Sequence, residues 1–118
     1  MENQKELFKR LNNDITLREM QEYIKNVIAI RGFDKQEITN TMLLLLEETG
    51  ELAKAIRKTL PEASIDLNKI QNYDTIESEI ADVFIVLTSI CNKLDIDLFE
   101  CIKNKEKENI ERVWKINK

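Results

Sequence analysis

Two pairs of carboxylates, each with members three residues apart, lie beside the two most apolar segments of this 118-residue chain. Glu48 and Glu51 follow the apolar run 42–46, while Glu79 and Asp82 directly precede the apolar run 83–87. Residues three apart project from one face of a helix, so each segment is expected to present its two carboxylates together. Because an uncompensated charge inside an apolar bundle costs several kcal/mol, the four carboxylates require a cation.

Two kinds of cation could neutralise this acidic cluster. Lys54 and Lys58, one and two turns beyond Glu51, could reach back to it, and the acidic faces would then be ordinary solvated surface. The spacing alone does not decide, since 22 Asp and Glu in 118 residues make such pairs common by chance. The placement beside apolar runs favours a bound divalent ion.

The ligand types indicate which ion this would be. The chain contains no histidine, whereas di-iron and di-manganese bundles combine glutamate with Glu-x-x-His. An all-oxygen site with room for water suits Mg²⁺, with Mn²⁺ as a substitute, and Mg²⁺ commonly accompanies phosphate substrates. The carboxylates therefore indicate phosphoryl chemistry.

Composition excludes several other functions. Without histidine there is no Ser-His or Cys-His nucleophile and no His-ligated zinc. A formal net charge of -4 argues against a nucleic-acid polymer or an anionic membrane as the main partner. The longest apolar run, 42–46, is too short to span a bilayer, and the charged N-terminus does not resemble a signal peptide. With Cys91 and Cys101 expected to be reduced thiols, we expect a cytoplasmic protein.

Apolar periodicity and capping signals predict an all-α fold, a bundle of four main helices, within a single domain 1–118 whose core spans about 16–114. The main helices are expected over residues 17–31, 35–60, 76–94 and 98–114, after a short helical stretch at 4–11. Pro61 is expected to end the second main helix, and 61–74 reads as a loop. The helix starts are marked by Thr16 with Glu19, Asp34 with Glu37, Thr75 or Asp74, and Asp97 with Glu100.

The apolar runs 42–46 and 83–87 are apolar on every face of their helical turn. A helix that is apolar all round is buried all round, and a bundle of this size can bury only one or two helices in that way. We therefore expect a homodimer or a larger assembly such as a homotetramer.

The acidic motifs also resemble a known family. Glu47-Glu48-Thr49-Gly50-Glu51, followed by Glu79-Ile80-Ala81-Asp82, is similar to the E-E-x-x-E and E-x-x-D signature of the MazG-like, all-α nucleoside triphosphate pyrophosphohydrolases. Lys105, Asn109 and Arg112 resemble the K-x-x-x-N-x-x-R run that closes these domains. Arg31-Gly32-Phe33 resembles the R-G-W or R-G-F that ends their first long helix, so that the resemblance covers about 16–114.

This resemblance implies cleavage of a nucleoside triphosphate, or its deoxy form, between the α and β phosphates to give monophosphate and pyrophosphate. It assigns Glu48, Glu51, Glu79 and Asp82 as Mg²⁺ ligands. Glu47 and Glu48 are the catalytic candidates, and Glu47 would bind a further metal or orient water. A metal-activated water then serves as the nucleophile, while a neighbouring carboxylate takes its proton.

Substrate contacts are expected from two further sets of residues. Lys105, Asn109 and Arg112 would share one face of the last helix and bind phosphate oxygens with Lys54, although an ordinary solvated charged helix has the same pattern. Phe33 and Trp114 are candidates for stacking on the base, or are lids of the core.

Two alternative functions remain open at this point. One is a specialised deoxynucleotide or phosphoribosyl-nucleotide pyrophosphohydrolase of the same superfamily. The other is a helical interaction or nucleotide-sensing protein without catalysis.

Overall fold

The computed structural model describes residues 3–61 and 75–116, and within these ranges the chain forms five helices and no strand. The all-α class and the four main helices are thus confirmed. The loop predicted at 61–74 lies, except for Pro61, outside the described residues. Among the described residues, no helix combines the length and apolar character needed to cross a bilayer. The helices are α1 (Gln4–Phe8), α2 (Leu17–Ile30), α3 (Ile38–Arg57), α4 (Ile76–Lys93) and α5 (Leu98–Asn109).

Three of the predicted helix starts are built from the side chains named for them. The Thr16 hydroxyl accepts a hydrogen bond from the Glu19 amide in a reciprocal capping box. The Thr75 hydroxyl accepts from the Ser78 amide at 3.1 Å and begins α4. At α5, the Asp97 carboxylate accepts from the Glu100 amide at 2.9 Å. These caps satisfy backbone donors that have no partner inside the helix.

The start predicted for α3 is wrong. The helix begins at Ile38 rather than at residue 35, and its N-cap is Glu37, whose side chain makes no capping hydrogen bond. Gly32, with a φ of 84°, ends α2 in the left-handed conformation that glycine tolerates. The backbone oxygens of Asp34 and Gln36 then accept hydrogen bonds from the Lys93 ammonium. The connection is therefore held against the end of α4 instead of joining the helix.

The end predicted for α5 is also wrong. The helix stops at Asn109, not at Trp114, and continues only as a turn in which the Arg112 amide bonds the Asn109 carbonyl at 3.2 Å. The Trp114 indole N–H donates to the same carbonyl, also at 3.2 Å. In a continuing α-helix that carbonyl would accept from the amide of Val113. Arg112 therefore lies outside the helix and does not share a helical face with Lys105.

α3 and α4 form a helical hairpin, hereafter called the arm. α2 also packs against α4, and Gln21 and Asn92 join the two helices near the end of α4. Gln21 joins these elements because its side-chain amide donates to Asn92 at 3.0 Å and to the Ile96 carbonyl at 2.7 Å. Its oxygen accepts from the Leu98 amide at 2.9 Å, which fixes the start of α5. The buried apolar core consists of Leu7, Ile24, Val27, Ala55, Val86, Cys91 and Leu98.

The apolar runs of the arm are only partly buried within the single chain. In the first run Leu43 is 64% exposed and Leu46 is 59% exposed, and Leu87 of the second run is 41% exposed. Among the described helices, α3 packs chiefly against α4.

Candidate metal centre and adjoining groove

Three of the predicted carboxylates converge between the two helices of the arm. Glu48 of α3 and Glu79 and Asp82 of α4 each offer one oxygen, and these oxygens lie within 4.8 Å of one another. Glu79 and Asp82 point the same way because they are three residues apart on α4. Glu79 is 4% exposed, and the other two are half-buried.

The donor set and its spacing fit a small divalent ion. All three ligands are carboxylate oxygens, which hard cations such as Mg²⁺ and Mn²⁺ prefer. Two ligands on opposite sides of one Mg²⁺ stand about 4.2 Å apart, since each Mg–O bond is about 2.1 Å. Small side-chain rotations therefore suffice to bring the three oxygens onto one ion.

Electrostatics indicate a site that needs positive charge. The pKa of Glu48 is raised above its ordinary value, first by burial and then by the charges of Asp82, Glu79, Glu47 and Glu51. The charged neighbours that shift this pKa are thus all acidic. At Glu48, this pattern fits a site that binds a cation.

The other two predicted acidic residues lie at the border of the cluster. Glu51, one turn beyond Glu48 on α3, is exposed and is not among the three converging carboxylates, so its role as a fourth ligand stays a prediction. Glu47 is exposed and lines a groove next to Asp82. Glu47 therefore faces this groove.

The groove beside the cluster has a volume of about 650 Å³ and lies between α2 and the arm. This volume is in the range of small-molecule sites. Phe33, which is 51% exposed, forms part of its wall, so the structure places this stacking candidate in the same groove as Glu47 and Asp82. Two cations also line it. The Arg31 guanidinium donates to the Gln4 side chain at 2.8 Å, and Lys93 bonds two backbone carbonyls.

The sequence did not single out several polar residues of this groove. Thr41 and Ser89 are buried, and Asn40 and Gln36 are exposed at its edge. The available signal was a polar residue next to an apolar run, since Thr41 precedes Met42 and Ser89 follows Leu87 by two residues. Both hydroxyls already bond a carbonyl one turn earlier in their helix, at 3.4 Å and 2.9 Å.

The predicted phosphate contacts of the chain's C-terminal part are not brought to the carboxylates. Lys105 of α5 forms an exposed ion pair with Glu108 at 3.2 Å. Arg112 lies 6.0 Å from the centre of the Trp114 ring. Among the described residues, those that line the groove come from α2, α3, α4 and the α2–α3 connection, and none from α5. Lys54 is exposed on α3, one turn beyond Glu51.

The described helices thus hold three carboxylates beside a groove of about 650 Å³. A family model described as the MazG nucleotide pyrophosphohydrolase domain matches residues 36–114. The chain belongs to this family. Its structure is similar to the crystal structure of YpjD from Bacillus subtilis, described as a putative pyrophosphatase, with 26% identity and a TM-score of 0.72. That match covers 86% of this chain and 100% of YpjD. No curated protein sequence matches significantly.

Proposed function

We propose that this protein is a Mg²⁺-dependent pyrophosphohydrolase that cleaves a ribo- or deoxynucleoside triphosphate between the α and β phosphates. The observation that carries the proposal is the convergence of Glu48, Glu79 and Asp82 beside the 650 Å³ groove. Family membership supports the reaction class, and the all-oxygen ligand set supports Mg²⁺ or Mn²⁺ as the cofactor.

The position of each carboxylate suggests its role in the reaction. Glu48, Glu79 and Asp82 would hold the ion, and Glu51 would join them from the next turn of α3. A bound Mg²⁺ would supply a more acidic water and positive charge to offset that of the leaving pyrophosphate. Glu47 faces the groove and orients the attacking water, while Glu47 or Glu48 accepts its proton.

The groove supplies the contacts to the nucleoside. Phe33 stacks on the base because it forms a half-exposed aromatic wall of the groove. Trp114 does not line the groove, so it is the weaker of the two stacking candidates. We assign Lys54, three residues beyond Glu51 on α3, to a phosphate contact.

We further propose that the chain is a single domain, 1–118, that works as a homodimer or larger assembly in the cytoplasm. The exposed leucines of the arm support the assembly, because contiguous apolar surface of this kind marks an interaction site. Both Cys91 and Cys101 are free thiols, which supports a reducing compartment.

The experiment that tests the function is a substrate panel with pyrophosphate detection. Ribo- and deoxynucleoside triphosphates and phosphoribosyl-nucleotides are each incubated with the protein, with Mg²⁺ and with a chelator. We expect Mg²⁺-dependent release of pyrophosphate and a monophosphate from at least one triphosphate. Release from one deoxynucleotide or one phosphoribosyl-nucleotide alone would identify a specialised enzyme. Binding of nucleotide without any pyrophosphate release would overturn the proposal in favour of a sensing protein.

A further inference from the structure

The part of the groove wall that carries Phe33 belongs to the connection between α2 and α3, residues 31–37. Gly32 ends α2 with a φ of 84°, and the Phe33 amide bonds the Ile28 carbonyl at 3.0 Å. Beyond this point no α-helix resumes until α3, whose N-cap, Glu37, makes no side-chain capping hydrogen bond. The position of Phe33 therefore depends on contacts that hold the connection from another element.

Lys93, the half-buried last residue of α4, supplies such contacts. Its ammonium donates to the Asp34 carbonyl at 3.0 Å and also to the Gln36 carbonyl. Both acceptors are backbone oxygens of the connection, one and three residues after Phe33. Hydrogen bonds from a charged donor are stronger than those between neutral groups. Lys93 therefore ties the segment that carries Phe33 to a helix of the arm.

The same helix also carries part of the carboxylate cluster. Asp82 lies eleven residues before Lys93, which corresponds to about 16.5 Å along a helix at about 1.5 Å per residue. Between them Ile85, Val86 and Ser89 line the groove. α4 thus forms one side of the groove from the carboxylates to the connection. Lys93 accordingly fixes where Phe33 lies relative to the carboxylates.

The location of Lys93 does not suit a contact with the triphosphate. Its ammonium lies at the opposite end of α4 from the carboxylates and bonds two backbone carbonyls. Leaving both carbonyls would forfeit two charge-assisted hydrogen bonds, so a contact with phosphate would bring little net gain. The bonds of Lys93 instead indicate that it acts through the connection.

We propose that Lys93 is a positioning residue for the nucleoside. By holding the Asp34 and Gln36 carbonyls, it keeps Phe33 in the groove wall, where the ring stacks on the base. The inference rests on the proposed function, because it acts through the base contact assigned there to Phe33. Lys93 itself touches neither the phosphates nor the reacting atoms. Its loss therefore weakens nucleotide binding and leaves the chemical step unchanged.

The kinetic test compares the wild type with Lys93→Met, which keeps an unbranched side chain but has no donor. Pyrophosphate release is measured over a range of concentrations of the triphosphate that the wild type hydrolyses best. We expect KM to rise by at least about fivefold and kcat to stay within about twofold, since stacking contributes equally to binding of substrate and transition state. An unchanged KM, or a loss confined to kcat, would overturn the proposal. Lys9→Met, the same change at an exposed lysine outside the groove, should leave both constants unchanged.

A double-variant cycle distinguishes action through Phe33 from a direct contact of Lys93 with the substrate. Phe33→Ala should also raise KM, and adding Lys93→Met should worsen it by no more than about twofold, because both changes remove the same contact. Effects that multiply would refute the positioning role, and so would a wild-type KM in Phe33→Ala. If the wild type releases no pyrophosphate, the proposed function fails, whereas an active wild type with an unchanged Lys93→Met refutes only the positioning role.

Hydrogen exchange tests the hold on the connection without turnover. The backbone amides of Phe33 and Gln36 are followed in the wild type, Lys93→Met and Lys93→Arg. Lys93→Met should speed their exchange by at least about tenfold, since losing hydrogen bonds from a charged donor favours local opening. The amides of the buried Ile24 and Val27 should exchange as in the wild type. Lys93→Arg, whose guanidinium can donate to two acceptors, should keep the wild-type protection. Equal protection in Lys93→Met and the wild type would contradict the proposal.

Discussion

Carboxylates occupy two regions of this molecule in opposite electrostatic states. Around the starts of α2 and α5, Asp97 accepts from the Glu100 amide and pairs with Arg18 at 2.6 Å. The backbone hydrogen bond and the Arg18 side chain lower the pKa of Asp97. In the arm, burial and neighbouring acids raise the pKa of Glu48. The first region pairs its charges within its own chain, while in the second the charges that raise the pKa of Glu48 are those of its acidic neighbours. We expect this difference to separate structural from functional carboxylates.

The largest expected effect is on activity. Asp82→Asn should lower the rate of pyrophosphate release by about a thousandfold, because a bound metal contributes several kcal/mol to transition-state stabilisation. Asp97→Asn should keep near wild-type activity, since asparagine also caps helices well. Steady-state assays of pyrophosphate release by both variants test this prediction. Similar activity in the two variants would remove the distinction between the regions.

Next in size is the stabilisation by the ion. Saturating Mg²⁺ should raise the melting temperature of the wild type by several degrees, since a ligand at 100 times its Kd stabilises by about 2.7 kcal/mol. The shift should persist in Asp97→Asn and disappear in Asp82→Asn. Thermal melts with Mg²⁺ and with a chelator measure it, and an equal shift in all three proteins would indicate non-specific binding.

A structural polar group should behave in the opposite way. Gln21→Leu leaves Asn92, the Ile96 carbonyl and the Leu98 amide without the partner described for them, and should cost about 2 kcal/mol of stability. Asp82→Asn should instead stabilise the metal-free protein, because it removes a charge that repels Glu48. Denaturant unfolding with a chelator compares the two variants, and destabilisation by both would show that the arm carboxylates are structural.

The smallest effect is the pH dependence of stability without metal. Folding favours protonated Glu48, because its folded pKa is raised, so this group costs stability as pH rises from its ordinary value through the folded value. Asp97, whose pKa is lowered, contributes stability above its ordinary value and loses it as pH falls through the folded value. Melting curves are recorded over about pH 3 to 7, the range in which carboxylates titrate. The difference in melting temperature from wild type should change with pH in opposite directions for Glu48→Gln and Asp97→Asn. If both variants changed in the same direction, the opposite pKa shifts of Glu48 and Asp97 would be contradicted.

The contrast between the regions also explains what the sequence could predict. Local signals sufficed for the helices and for the caps at Thr16, Thr75 and Asp97, because the residues involved are three apart in the chain. The same spacing placed Glu79 and Asp82 on one face and led to the acidic cluster. The predicted start of α3 was wrong because it depends on a partner far away in the sequence. Lys93 of α4 holds the connection that precedes α3.

The groove could not be predicted for the same reason, because its wall is formed by residues that are far apart in the sequence. Its wall combines Phe33, Thr41 and Ser89 from three parts of the chain, and no sequence spacing relates them. The end of α5 is likewise set by Trp114, whose indole reaches back to the Asn109 carbonyl. Helix propensity alone does not report such a contact.

The central claim is that a divalent ion binds the carboxylates of the arm and not those at the starts of α2 and α5. Paramagnetic Mn²⁺, titrated in substoichiometric amounts into isotope-labelled protein, tests it directly by broadening the backbone amide signals near its site. We predict broadening centred on Glu48, Glu79 and Asp82, with the signals of Glu19 and Asp97 unaffected. Broadening centred on Asp97, or spread evenly over all acidic residues, would contradict the account.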